Sequence, residues 1–282
     1  MSCQYILLTT SIIKGDLTKL QRMIDSLREY NEDGSPAIRH ILLLQNTSNE
    51  RADELRIQMN MPAWTELITC PDTISLSKAR NIMLKAIDFA RKADRDTVVA
   101  FPDDDCWYPA GTLSHLANIF ESDVDFAFCR YGAKAMPISA VASWQTPGYR
   151  DVVFNASSNT LFIRASVVAR LGAFNEKLGV GAEYNGGEDL DYAIRAYRTA
   201  GRVVWSPEIL VGHRDKDTSL RGNYFIGSAL VLRDNAFCSI AAAAQFFRKL
   251  LIGGVLVIKG EMHLDQLTKV FYARLKDTAD GT

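Results

Sequence analysis

Phe101-Pro102-Asp103-Asp104-Asp105-Cys106-Trp107-Tyr108-Pro109 is the stretch on which the reading of this chain turns. It continues the apolar run Thr97-Val98-Val99-Ala100, which predicts a buried strand. Three adjacent carboxylates repel one another, and a folded chain tolerates them where a cation or solvent offsets the repulsion. At the C-terminal end of a parallel strand they sit where α/β sheets bind ligands. A solvated acidic turn would also hold three aspartates. Phe101, Trp107 and Tyr108 make the flanks too apolar for that.

Strands and helices alternate on both sides of this stretch. Residues 5–10, 39–46 and 66–70 read as strands one to three, and residues 97–101 as the fourth. Asp16 is placed to cap a helix with Leu17, Leu20, Ile24 and Leu27 on its apolar face. A helix from about Ser77 turns Ala79, Ile82, Met83, Ala86, Ile87 and Ala90 inward. Pro109 suits the first turn of a helix through Leu113, Leu116 and Phe120. Residues 125–129 and 159–163 predict further strands, with a loop at 134–149 between them. A short helix capped by Ser166 ends at Gly172, and residues 179–187 form a flexible glycine-rich loop. A helix carrying Leu190, Ala193, Ile194 and Tyr197 leads to a last strand at 203–205. This order predicts an α/β fold with a mixed, mostly parallel central sheet flanked by helices.

Residues 223–258 break the pattern. They are strongly apolar and include the runs 239–247 and 250–258, separated by Arg248 and Lys249, and neither run alone reaches the ~20 residues of a membrane span. They predict helices that pack on the main domain, lie in a membrane interface or pair subunits.

The 282 residues are 48% hydrophobic, enough for a sizeable core, and the net charge of −1 supplies no basic field for nucleic acid. Five cysteines, an odd and widely spaced set without Cys-x-x-Cys, predict reduced thiols and a cytosolic protein. Cys106 reads as a small buried hydrophobe.

Three further groups of residues carry chemistry. Gly186-Gly187-Glu188-Asp189 places an acidic pair at a helix start, where the helix dipole alone would favour it. The long glycine-rich loop before it points instead to an active-site loop. His213 gains meaning as a partner of the Asp cluster, because imidazole and carboxylate together suit a divalent cation. Ser77-Lys78-Ala79-Arg80-Asn81 opens a helix after strand three. Lys78 fits a solvated position, whereas Arg80 and Asn81 fall among inward-facing residues and predict buried polar roles.

Taken together, Ser77-x-x-Arg80-Asn81, Asp103-Asp104-Asp105, Glu188-Asp189 and His213 resemble, in order, the motifs of GT-A-fold glycosyltransferases of family 2. The resemblance covers roughly residues 4–215. It implies a Rossmann-like GT-A catalytic domain at 1–215, with a nucleotide-binding half to about 108, an acceptor half from 109, and a helical extension at 216–282. It implies an inverting hexosyltransferase that moves a sugar from a UDP-sugar to a saccharide or lipid-linked saccharide hydroxyl, as in polysaccharide biosynthesis. It also implies Mn²⁺ or Mg²⁺ on Asp105 and His213, and donor contacts from Thr9, Asn46, Asp72, Ser77, Arg80, Asn81, Asp103 and Asp104. Asp189 becomes the general base, and Glu188 places the acceptor. One departure concerns strand two, which in this family often ends in an acid and here ends in Gln45-Asn46; Asp72 is the substitute acid, or a turn residue after Pro71. The expected location is cytoplasmic, with peripheral contact at the inner face of the cell membrane or a homo-oligomer through the C-terminal segment. A sugar nucleotidyltransferase would carry a Gly-, Arg- and Lys-rich loop after strand one, and Ser11-Ile12-Ile13-Lys14-Gly15 is poor in these. A binding protein without turnover would not need Asp103, Asp105 and Asp189 together.

Overall fold

Four successive apolar side chains, Tyr5 to Leu8, alternate between the two faces of a strand, so both faces need cover. The computed structural model describes residues 4–32, 38–87, 89, 97–138, 142–215 and 221–275. Cys3 and Ala90 lie outside them. Tyr5 and Leu7 join a core with Leu42, Leu44, Val98 and Ala100 on one face. Ile6 and Leu8 join Ile41, Leu43, Val99 and Phe101 on the other.

The strands are β1 (Gln4–Ile12), β2 (Ile38–Gln45), β3 (Thr65–Cys70), β4 (Thr97–Ala100), β5 (Phe126–Gly132), β6 (Leu161–Arg164) and β7 (Val203–Gly212). Their order in the sheet is β3-β2-β1-β4-β6-β5-β7. The first four pair in parallel, β6 runs antiparallel to both β4 and β5, and β5 and β7 are parallel. The fold is therefore the GT-A type of α/β architecture, with a mixed, mostly parallel sheet. From β1 the chain adds β2 and β3 on one side and then crosses to place β4 on the other, and this switch in strand order opens a crevice beyond the C-terminal ends of β1 and β4.

The helices are α1 (Thr18–Glu32), α2 (Asn49–Gln58), α3 (Leu76–Lys85), α4 (Thr112–Phe120), α5 (Tyr149–Asn155), α6 (Ala165–Leu171), α7 (Glu188–Thr199), α8 (Phe225–Asn235), α9 (Ile240–Ile258) and α10 (Leu264–Tyr272). Helix α2 was not expected, because Ala52 and Leu55 are its only buried residues and leave little periodicity. Helix α3 ends at Lys85, and Ile82 and Ala86 turn to solvent while Leu84 turns inward. Helix α4 starts at Thr112 after a left-handed Gly111, so Pro109 lies before it. Ser166 is inside α6, which Arg164 precedes. Helix α5 starts at Tyr149, the end of the expected loop, and covers residues left unassigned, while a 3₁₀ turn at Ser158–Thr160 takes the first two residues of the expected strand at 159–163.

Strand β7 runs on through Pro207 to Gly212, beyond the three residues expected. It is the outer strand of the sheet, where a missing N–H costs no ladder bond. Its length matters, because it delivers His213 beside the Asp cluster.

The apolar stretch at 239–258 forms one helix, α9. Arg248 and Lys249 do not interrupt it; the Arg248 guanidinium lies 4.2 Å from the Phe154 ring centroid and the Lys249 ammonium 4.8 Å from that of Phe225. Cysteines 70, 106, 129 and 238 are free, and Cys106 is fully buried.

Candidate active site

Two chain segments meet at the crevice. The loop after β4 carries Asp103, Asp104 and Asp105, and the end of β7 carries His213. Backbone hydrogen bonds between Trp107 and Gly212, 2.9 and 2.8 Å, clamp the two together. Gly212 is required there, since a Cβ at this position would fall 2.0 Å from Trp107 Cε2.

Ligand atoms of Asp103, Asp105 and His213 lie within 4.8 Å of one another. The His213 Nδ1–H donates to the Arg214 carbonyl at 2.8 Å, which leaves the lone pair on Nε2. That nitrogen is buried, 2.9 Å from Asp105 Oδ1 and 3.7 Å from Asp103 Oδ2, but out of line for a hydrogen bond. An imidazole nitrogen that faces two carboxylates without a hydrogen bond to either fits a divalent cation, and the backbone bond at the other nitrogen is the usual way of orienting a ligating histidine. Burial lowers the His213 pKa, but Asp105 and Asp103 outweigh it and raise it. Burial pushes Asp105 up, but His213 and Arg214, 3.0 Å away, hold it below the usual carboxylate range. Desolvation carries Asp103 up to about 6 despite Arg80.

The acidic pair opens α7 beneath this cluster. Arg80, 2% exposed, sends Nη1 to Asp189 Oδ1 at 2.8 Å and Nη2 to Asp103 Oδ1 at 3.3 Å; Glu188 Oε1 is 4.0 Å away. The Ser158 N–H donates to the other Asp189 oxygen at 3.1 Å. The Asp189 carboxylate is thus held from both sides, with a quarter of its side chain open to the cleft. Glu188 is buried with Oε2 unpartnered, and burial, then Asp189, raises its pKa.

The remaining expected donor residues divide. Asp104 accepts from Ser11 Oγ at 2.6 Å, across the crevice between β1 and β4. Asn46, left-handed at φ 60°, and Asp72 are exposed at the C-terminal ends of β2 and β3. Thr9 is buried inside the sheet with its hydroxyl 3.0 Å from His40 Nε2, so its side chain is withdrawn from the crevice. The Ser77 hydroxyl donates to Leu178 O, and Asn81 clamps Phe174 through its backbone N–H and C=O. Both bind α3 to the loops before α7. Gln45 is likewise occupied, by Thr10 and the Ile74 N–H. Arg80 is buried, as its inward-facing position predicts, and serves the carboxylates.

Three participants went unrecognised in the sequence. Arg214 follows His213 directly, lines the cleft and was visible as a cation beside a ligand. Arg22 covers the Trp107 ring at 3.8 Å and donates to Asp105 O. Ser158 arrives through a backbone N–H, which no side-chain motif announces. Trp144 and Trp205 stack on His115 and Phe128, and Tyr108 is buried, so packing occupies these three.

A cleft of about 1470 Å³ runs from Asp103, His213 and Asp189 to α9. The crevice between β1 and β4, the Asp-Asp-His cluster and the acidic start of α7 thus share one cleft of a GT-A fold. The sequence matches no family model and no curated protein. Among solved structures, S. aureus TarS 1–349 shares the fold at TM-score 0.58 and 16% identity, over 82% of this chain and 64% of that one. S. aureus TarS matches at 0.63 and 13%, over 87% and 43%. TarS 1–349 in complex with UDP matches at 0.65 and 13%, over 96% and 82%. The chain thus spans less than two thirds of the first two.

Proposed function

We propose that the chain is an inverting glycosyltransferase that takes a UDP-sugar and glycosylates a hydroxyl of a saccharide or lipid-linked saccharide. The observation that carries this reading is the meeting of Asp103, Asp105 and His213 with an oriented Asp189 in one cleft. The solved UDP complex of a protein with the same fold supports the choice of nucleotide.

Asp105 and His213, joined by Asp103, would hold Mn²⁺ or Mg²⁺. Bound there, the cation would supply positive charge to offset that of a diphosphate leaving group. Arg214 adds positive charge on the same side. Asp104, fixed by Ser11, faces the ribose end of the crevice, with Asn46 and Asp72 at its outer rim. Asp189 accepts the proton of the acceptor hydroxyl as it attacks the anomeric carbon, and attack opposite the leaving group inverts that centre. Arg80 and Ser158 hold the Asp189 carboxylate in place. Glu188, buried beside it, shapes the floor on which the acceptor rests.

Calorimetric titration of UDP and GDP, each with Mn²⁺ and with EDTA, tests the reading. UDP binds wild type in the presence of metal, and Asp105→Ala weakens it at least about tenfold. Failure of both nucleotides to bind under any condition overturns the assignment.

A further inference from the structure

Helix α9 has three faces. Ala242, Gln245, Phe246, Gly253 and Leu256 are buried against the protein. A Cβ on Gly253 would fall 2.4 Å from Phe225 Cζ, so α9 lies hard against α8. Ile240, Phe247, Leu251, Val255 and Ile258 follow one another at helical spacing and form a second, exposed stripe. Phe247 is 63% exposed, Leu251 73% and Ile258 87%. Phe237, just before the helix, is fully exposed and extends the stripe. The third face lies between these two and walls the cleft. It carries Arg248 and, just past the helix end, Lys259, and Leu251 and Val255 form its lip.

This is a contiguous apolar surface of a kind that folded proteins rarely leave to water. Its chemistry selects the occupant. Helix α9 contains Arg248 and Lys249 and no Asp or Glu. Arg221, Lys259 and Glu261 line the same cleft. Apolar residues flanked by cations match the two layers of an anionic bilayer surface, acyl chains below and phosphates above. A second copy would cover the stripe, but its α9 carries no acid to meet these cations. The helix has nineteen residues, and an 18-residue window in it has a mean hydropathy of 1.6, so it is also long and apolar enough to cross a membrane. The buried face, packed on α8, makes α9 a helix that lies on the surface.

We propose that the exposed stripe of α9 docks this protein on an anionic lipid bilayer and sets the mouth of the cleft at headgroup level. An acceptor anchored in that bilayer would then enter past Leu251 and Val255 towards Asp189. This last consequence rests on the transferase reading; the docking itself does not.

Co-sedimentation of the full chain with vesicles of phosphatidylcholine, alone or mixed with phosphatidylglycerol, tests the docking. The chain sediments with the mixed vesicles at least about tenfold more strongly than with the neutral ones. Phe247→Asp and Ile258→Asp, both outside the cleft, abolish sedimentation and leave metal-dependent UDP binding unchanged. The double variant Arg248→Gln, Lys259→Gln reduces the preference for anionic vesicles. Failure to sediment with either vesicle overturns the proposal, and so does sedimentation unaffected by Phe247→Asp. A wild-type dimer in size-exclusion light scattering that Phe247→Asp converts to monomer also overturns it, and assigns the stripe to a second copy. UDP titration on the same samples separates loss of docking from failure of the transferase reading.

Discussion

Arg80 shows how one side chain organises the site. Its planar fork reaches Asp189 through Nη1 and Asp103 through Nη2, a fixed two-nitrogen span that the single nitrogen of lysine lacks. Burial works against its charge, but Asp189, Asp103 and Glu188 outweigh that and raise its pKa. Removing it leaves three carboxylates facing one another without a cation. Arg80→Gln therefore loses about 3 kcal/mol of stability in denaturant unfolding. Arg80→Lys retains more stability but loses transfer activity, because Asp189 is released on one side. Equal activity in Arg80→Lys and wild type would refute this positioning role. The charged residues of this centre were legible in the sequence as motifs, because each type has a narrow chemistry at its spacing. Their division of labour was not. Arg80 and Asn81 were legible as buried polar residues from their inward-facing positions, but not their partners, which for Arg80 are carboxylates and for Ser77 and Asn81 are backbone groups of distant loops.

At the level of elements, the turn before α7 is held by contact between glycines. Gly186 and Gly187 are both left-handed, and Gly227 of α8 approaches so closely that a Cβ on it would lie 2.0 Å from Gly186 O. A Cβ on Gly187 would lie 2.5 Å from the Gly227 carbonyl carbon. The loop read as flexible from its glycines is therefore tightly packed at its end, and the glycines serve close approach. Gly187→Ala combines a left-handed backbone penalty of ~1–2 kcal/mol with overpacking of ~1–3 kcal/mol. The expected loss is about 3 kcal/mol in chemical denaturation, with reduced transfer activity because α7 carries Asp189. A variant as stable as wild type would rule this packing out. The strands were legible because fully covered strands are nearly continuous apolar runs. Helices α2 and α5 were not, since each buries too few residues to leave a period.

The whole molecule carries a built-in acid sensitivity away from the site. His40 on β2 is fully buried between Thr9 and Thr65, and burial lowers its pKa from 6.5 to about 3. Unfolded chains take up this proton below pH 6.5 and the folded chain does not, so the contribution is full above pH 6.5. It is lost as pH falls towards 3, by about 1.4 kcal/mol per pH unit. His40→Gln flattens that part of the stability profile between pH 6 and 4; parallel profiles for the two proteins would disprove the assignment. The sheet order has a different consequence. Strand β6 lies between β4 and β5 but follows both in the chain. As the polypeptide leaves the ribosome, the outer edge of β4 waits from residue 100 until residue 161 for its neighbour. At about 5–20 residues per second this is roughly 3–12 s with an apolar strand edge uncovered. Slow translation anywhere between those two points prolongs the interval in which the nascent chain is open to aggregation.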